Sequence, residues 1–294
     1  MAASRVLNPL LGLLKRPDRP SLSQKLTWLG AWMTLGFVGL AVIAPLFQAI
    51  GLLQNPSEFL SNPPHQPPSG GHWFGTTRLG YDVFSRTVFG SQAAVQVVLL
   101  ATVLSLAIGV PLGMVSGYLG GNLDRVLLFM MDTIYTLPGL LLSVTLAFVV
   151  GRGVLNAALA LSIAYIPQYF RVVRNQTISV KTEVFVEAAQ AMGASTWRVL
   201  WRYLAQNVIQ SVPVILTLNA ADAVLTLGGL GFLGLGLPDE VAEWGQDLRQ
   251  ALDALATGGV WWTALFPGLA MTVMVVGLSL LGEGLSELTE KRQR

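Results

Sequence analysis

The sequence predicts an all-α integral membrane protein with six transmembrane helices and both termini on the cytoplasmic side. Three observations carry that prediction. Of 294 residues, 53% are hydrophobic and only 12% charged, about half the ~25% charge of ordinary soluble domains. The charges also leave long gaps, since no Asp, Glu, Lys or Arg occurs in 26–57, 87–123, 133–151, 153–170, 203–221, 223–238 or 254–282. Uncharged apolar runs of about 18 residues or more are read as membrane spans. Finally, the 18 basic residues segregate strongly to one side of the spans that these gaps define. A soluble globule and a disordered chain are both excluded by this composition. A net charge of +2 offers no electrostatic basis for a nucleic-acid partner. With no cysteine, disulfides, thiolate zinc sites and cysteine catalysis are excluded.

The spans are placed at 29–53, 92–118, 127–150, 154–170, 208–236 and 263–285, on the rise of about 1.5 Å per residue and a hydrocarbon core about 30 Å thick. The fifth merges two uncharged blocks, because only Asp222 separates them and Pro213 with the nearby glycines permits one long, bent helix. The first is read as an uncleaved span, since it starts late and lacks a small-residue cleavage site after a short apolar region.

Orientation follows from Lys and Arg, which concentrate in cytoplasmic loops. One side carries Arg5, Lys15, Arg16, Arg19, Lys25, Arg125, Arg171, Arg174, Lys181, Arg198, Arg202, Lys291, Arg292 and Arg294, fourteen in all; the other carries Arg78, Arg86, Arg152 and Arg249. The fourteen mark the cytoplasmic face. The chain is thereby divided into a cytoplasmic arm (1–28), an extra N-terminal span (29–53), an outside loop (54–91), a core (92–286) with a cytoplasmic loop at 171–207, and a short tail (287–294). The outside loop holds five prolines between Pro56 and Pro68, too many for a helix or a central strand. Between 78 and 90, Leu79, Val83, Phe84 and Phe89 recur near helical spacing and predict an interfacial helix lying flat on the outer face. His65 and His72, in a proline-rich loop without Cys or carboxylate company, predict no metal site.

Glycine spacing carries a packing signal. Gly109, Gly113, Gly117 and Gly121 repeat every four residues, which bares one helix face for close approach by another helix. Gly229-Leu230-Gly231-Phe232-Leu233-Gly234 formally matches a dinucleotide-binding GxGxxG, but that motif must follow a strand in a soluble βαβ unit, and here it closes an uncharged membrane block. No GxxxxGK[ST] occurs, so the chain has no phosphate-binding P-loop of its own.

The cytoplasmic loop 171–207 is the most informative segment. Thr182 is a candidate N-cap for a run in which Val184, Phe185, Ala188, Ala191 and Met192 keep helical register, with Glu183 and Glu187 suited to the first turns. Gly193 interrupts the run. Trp197, Leu200, Trp201, Leu204 and Val208 then resume the pattern, with Arg198 and Arg202 on another face. The segment therefore reads as helix, glycine turn, helix, presented to the cytoplasm.

Glu187-Ala188-Ala189-Gln190-Ala191-Met192-Gly193-Ala194-Ser195 resembles the EAA motif of ABC-importer permeases. Three further stretches resemble one branch of that family, the C-type permeases of dipeptide, oligopeptide and nickel importers. They are His72 to Arg86, similar to H-x-F-G-T-D-x-x-G-R-D-x-x-S-R; Gly117-Tyr118-Leu119-Gly120-Gly121 with Asp124, Asp132 and Pro138; and Gly231 to Gly236 with Trp244-Gly245, Pro267-Gly268 and Gly282-Glu283-Gly284-Leu285. The chain departs from the branch in having Arg202-Tyr203-Leu204-Ala205-Gln206-Asn207 where R-H-x-L-P-N is usual, and Thr77, Tyr81, Gly231 and Glu283 in place of Asp, Arg, Ser and Asp.

The resemblance implies a type I ABC importer permease fold in the bacterial inner membrane. It implies an assembly with ABC ATPase subunits, which hold ATP and Mg, with a second homologous permease and with an extracytoplasmic substrate-binding protein. This chain would bind no cofactor and catalyse no reaction. Glu187, Ala188, Ala189, Gly193, Ala194, Ser195, Arg198 and Arg202 would form the coupling segment docked on the ATPase.

Within the spans, Asp222 and nearby Asn219 are candidates for the translocation path, because acids in lipid are costly and usually functional. Asp132 is expected near Arg125. A stand-alone secondary carrier or channel is the other class, though such a carrier would show inverted repeats and an acid relay. An integral-membrane enzyme lacks a catalytic constellation here.

Overall fold

The computed structural model describes residues 22–258 and 260–293. The expected basic arm lies, up to residue 21, outside the described residues, as does Arg294. The described elements are α1 (Leu22–Ala49), α2 (Val83–Leu119), α3 (Gly121–Tyr135), α4 (Gly139–Val150), α5 (Val154–Val180), α6 (Val184–Ala191), α7 (Thr196–Phe232), α8 (Trp244–Gly258) and α9 (Trp262–Gln293). Extended pairing among the described residues is confined to one isolated antiparallel bridge between Thr76 and Asp82. The protein is all-helical.

Four helices, α1, α2, α7 and α9 up to Glu287, are long and apolar enough to cross a membrane. The stretch expected as one span at 127–150 is instead broken into α3 and α4, bent by 87° at residues 136–138. Pro138 explains the break. It lacks an N–H and pushes the residue before it out of helical geometry, so α4 starts afresh after Pro138 in an extended conformation.

The separate interfacial helix expected at 78–90 is also absent. The chain enters α2 directly at Val83, with Asp82 as N-cap accepting from Ser85 N at 2.8 Å, and the cap starts one uninterrupted helix of 37 residues. α5 occupies the position of the fourth expected span, but Asn156, Ser162, Tyr165, Gln168 and Tyr169 dilute its apolar character. These polar positions are tolerated because α5 is enclosed by the other helices, with Ser162, Tyr165 and Tyr169 buried.

The main core lies where α2, α5, α7 and α9 meet, around Val97, Ala158, Leu161, Leu227 and Leu230. α2 and α5 touch backbone to backbone. A Cβ on Gly113 would sit 2.6 Å from the Phe170 carbonyl oxygen, and one on Gly117 2.6 Å from that of Arg174; Gly109 lies as tightly on Ile166 and Tyr169. Gly121 does not share this face: it starts α3 with φ +64° and open space around it. α1 lies on α9 in the same glycine-mediated way, with Gly30 against Gly277 and Leu281, and Gly284 against Thr27.

At the end of the bundle away from the 182–208 hairpin, α8 is amphipathic and crosses the end of α7 at glycines. Gly245 sits on the Gly228 backbone, and the Glu243 carboxylate lies on Gly231. The glycine run that formally matched a nucleotide motif therefore serves helix packing at its Gly231.

Candidate functional site

The EAA-bearing segment 182–208 is built as a turn held down on one face and open on the other. α6 ends at Met192, where the Gly193 N–H donates to the Gln190 carbonyl at 2.9 Å and the Ala194 N–H to the Ala189 carbonyl at 3.0 Å. This is the hydrogen-bond pattern of a Schellman cap, which requires a left-handed residue at the first position past the helix. Gly193 has φ +81°, a region most side chains avoid. Thr182 is not the N-cap. Glu183 occupies that position without a side-chain capping bond, and the Thr182 hydroxyl donates to the Ser179 carbonyl at 2.9 Å. α7 then begins at Thr196 and passes through a wider π-helical turn at Val199–Leu204.

One face of this hairpin is anchored. Val186, Val199, Leu200, Leu204 and Val208 are buried against Met114 of α2 and Val173 of α5. Polar ties reinforce it, with Lys181 Nζ donating to the Gly117 carbonyl at 2.9 Å and Gln190 Nε2 to the Tyr118 hydroxyl at 3.0 Å. The opposite face is open, with Val184, Met192 and Trp197 exposed at 77%, 78% and 67%. Of the predicted coupling residues, Glu187, Ala188, Gly193, Ser195, Arg198 and Arg202 are exposed, Ala194 is half-buried and Ala189 is buried.

Behind the hairpin, α5 is pinned to the bent α3 by two ion pairs. Arg174 donates through Nη2 to Asp124 Oδ2 at 2.6 Å, and Arg171 through Nη2 to Asp132 Oδ1 at 2.7 Å, with its guanidinium 4.0 Å above the Tyr135 ring. Asp132 thus pairs with Arg171 and not with the expected Arg125, which lies beside Asn122. The geometric reason is that α3 runs along α5, so a partner 39 positions away reaches Asp132 at 2.7 Å, whereas Arg125 lies about two turns, roughly 10 Å, back along the same face of α3. Residue spacing alone held no signal for these pairs.

Within the bundle, Asp222 and Asn219 part company. Asn219 is buried on the α5 side, whereas Asp222 is exposed. The Tyr165 hydroxyl donates to Asp222 Oδ2 at 2.8 Å and lies 3.3 Å from Thr226 Oγ1. Among the described residues, no group of three or more His, Asp or Glu side chains is placed to hold a metal ion.

A second polar centre, which sequence reasoning missed, closes the opposite end of the bundle. Arg86 is buried and donates through Nε to Asp247 Oδ1 at 2.7 Å and through Nη1 to the Pro56 carbonyl at 2.9 Å, with its guanidinium 4.6 Å from the Tyr81 ring centre. Glu243 accepts from the Gly245 and Gln246 backbone N–H groups at 2.8 and 2.9 Å. Burial pushes its carboxyl up to about 7, and these two backbone donors only partly offset that. Trp244 Nε1 donates to the Thr87 carbonyl at 2.9 Å and packs over Gly90.

Comparison with known proteins gives this architecture its family. Residues 109–294 match the family described as binding-protein-dependent transport system inner membrane component. The chain is 32% identical to the dipeptide transport system permease protein DppC of Alkalihalophilus pseudofirmus, over 92% of this chain and 87% of that protein. It is 31% identical to the oligopeptide transport system permease protein OppC of Bacillus subtilis, over 99% and 94%. The glutathione transport system permease protein GsiD of Pectobacterium atrosepticum is 31% identical, over 78% and 75%. Among solved structures, the inward-facing MetNI methionine ABC transporter has a similar fold, at a TM-score of 0.56 and 16% identity, covering 71% of this chain and 97% of that one. An all-helical bundle with the EAA-bearing hairpin anchored at its foot, matched over this length, belongs to the binding-protein-dependent transport system inner membrane components, and the chain is a permease subunit of an ABC importer.

Proposed function

We propose that this permease moves peptides or related small solutes inward across the bacterial cytoplasmic membrane, with six crossings and both termini in the cytoplasm. The crossings are α1, α2, the bent pair α3 and α4, α5, α7 and α9. In this reading a second, homologous permease completes the path and an extracytoplasmic binding protein delivers the cargo. Separate ATPase subunits carry ATP and Mg and do the hydrolysis. A peptide cargo is favoured by the relatives named for dipeptide and oligopeptide transport.

The observation that carries the proposal is the two-faced hairpin around Gly193. An element anchored by Val186, Val199 and Leu204 yet presenting Val184, Met192 and Trp197 to solvent suits a partner that pulls on it. Exposed apolar side chains grouped this way mark interaction sites. The anchors would pass the movement to α2, α5 and α7, a rigid-body rocking between two states. The experiment is to tag the chain, extract native membranes in mild detergent and identify co-purifying chains by mass spectrometry. Recovery of a P-loop ATPase and a second permease is expected. Recovery of this chain alone across several gentle detergents would overturn the proposal in favour of a stand-alone carrier or channel.

A further inference from the structure

Asp222 stands where a charge is most expensive. It is the eleventh of the 21 residues in the regular part of α7, Val212–Phe232, and the blocks 203–221 and 223–238 on either side hold no other charge. Its side chain is nevertheless open, on a stripe of α7 shared with Leu218 and Leu225, which are 47% and 50% exposed. A carboxylate at that depth must face water, a ligand or a partner, because lipid would not solvate it. Among the described residues, no Arg, Lys or His forms an ion pair with it.

The surroundings are those of a ligand site. The Tyr165 hydroxyl, buried on α5, fixes one oxygen of the carboxylate at 2.8 Å and is 3.3 Å from the Thr226 hydroxyl. Hydrogen-bonded this way, the carboxylate keeps its other oxygen for an incoming donor. A primary ammonium has three N–H donors and no acceptor, and a carboxylate flanked by hydroxyl oxygens matches it in charge and geometry. The polar positions continue past Asp222. Asn219, one turn earlier on α7, and Tyr169, one turn later on α5, are buried and face one another, with Thr102 of α2 beside the Tyr169 hydroxyl. A fixed ion pair with a neighbouring subunit needs one opposing charge. Asp222 is the exposed member of this polar set, with Tyr165, Tyr169, Asn219 and Thr226 buried behind it, so its carboxylate is the group an entering polar solute can reach.

We propose that Asp222, oriented by Tyr165, receives the protonated amino group of the cargo within the translocation path. This rests on the importer reading above and adds the ligand chemistry of one station. Tyr165 is a positioning residue, acting through the carboxylate.

The test uses the complete transporter in proteoliposomes with its binding protein outside, ATP inside and radiolabelled alanyl-alanine as cargo. Asp222→Asn is expected to slow uptake by about tenfold or more, the scale of one lost hydrogen bond to a charged group, while assembly and basal ATP hydrolysis persist. Asp222→Glu should keep most of the uptake, and Tyr165→Phe should fall between the two. Carbodiimide-driven coupling of glycinamide to Asp222 in the wild type should be slowed by added alanyl-alanine, a protection that a merely structural carboxylate would not show. Equal uptake by wild type and Asp222→Asn, or absence of protection, would overturn the site alone. Dissociation of the Asp222→Asn complex would also overturn it, by assigning Asp222 to a subunit ion pair. Wild-type proteoliposomes that take up no alanyl-alanine would overturn the peptide reading and the site with it.

Discussion

Arg86 and Asp247 are 161 positions apart in sequence and meet in a buried polar cap between the start of α2 and α8, guanidinium Nε to carboxylate Oδ1 at 2.7 Å. Their side chains are 1% and 5% exposed, so neither charge has water to fall back on. The pair ties the start of α2 to α8, and the second arm of Arg86 holds the outside loop at the Pro56 carbonyl. Removing one partner of a buried pair leaves the other charge uncompensated, at a cost of about 3–5 kcal/mol. Arg86→Ala is expected to lower the thermal stability of the purified protein by that order, measured as the midpoint of loss of the monodisperse peak on size-exclusion chromatography. Asp247→Ala should cost a similar amount. The double variant should cost clearly less than the sum, because the stranded charge is gone.

Glu243 gives the same cap a pH dependence. Its carboxyl is pushed up to about 7 by burial from an ordinary value of 4.5, so the folded protein holds this proton more tightly than the unfolded chain. Stability from this group is therefore complete below about pH 4.5 and is lost as pH rises through about 7. Melting midpoints taken at half-unit steps between pH 5 and 8, a window chosen around about 7, should decline towards the alkaline end. Glu243→Gln keeps an acceptor oxygen for one of the Gly245 and Gln246 N–H groups and cannot ionise, so it starts from a lower midpoint but its decline with pH should be flatter. Parallel curves for the two proteins would show that the carboxyl does not titrate in this range.

Gly193 separates folding from coupling. A Cβ there would meet nothing within 4 Å, so Gly193→Val introduces no clash and acts through its φ of +81° alone. For a β-branched residue that strain is of the order of 1–2 kcal/mol. It is relieved by unwinding the Schellman cap and re-aiming the start of α7. The variant should insert and assemble normally while uptake falls at a given rate of ATP hydrolysis, measured in proteoliposomes. Gly193→Asn, which tolerates the left-handed region, should retain more of the coupling. Normal uptake by Gly193→Val would show that the turn shape is not what the ATPase reads.

The sequence made some of this legible and hid the rest for physical reasons. The helix, glycine turn and helix of 184–208 were readable because amphipathic spacing and a left-handed glycine are local signals. The break at Pro138 carried a local signal too, yet the uncharged run around it reads equally as one span, since a proline inside a membrane helix can leave a mere kink where here it leaves an 87° bend. The pairs Arg171 with Asp132, Arg174 with Asp124 and Arg86 with Asp247 join residues 39, 50 and 161 positions apart. In the sequence Arg171 and Arg174 read only as topology signals, and Arg86, though it ends the segment His72 to Arg86, held no pointer to Asp247. The Glu243 site was hidden in the same way, since its acceptor role depends on Gly231 letting α8 approach.

Gly113 and Gly121 belong to one four-residue repeat and should nevertheless respond oppositely to substitution. At Gly113 the helix is regular and the added methyl would meet backbone, the Phe170 carbonyl oxygen at 2.6 Å and the Arg174 nitrogen at 3.1 Å. Neither neighbour can rotate away, so α2 and α5 must separate along their glycine-lined contact. Overpacking of this kind costs about 1–3 kcal/mol and occasionally more, and it should also disturb the Asp124–Arg174 pair nearby. At Gly121 there is room for any side chain, and the constraint is φ +64°, which asparagine adopts at little cost. Gly113→Ala should therefore lower the melting midpoint more than Gly121→Asn, and Gly113→Leu should fail to yield folded protein. If Gly121→Asn were the more damaging change, the turn into α3 would need glycine for a neighbour absent from the single chain, and close approach to the second permease would be the first place to look.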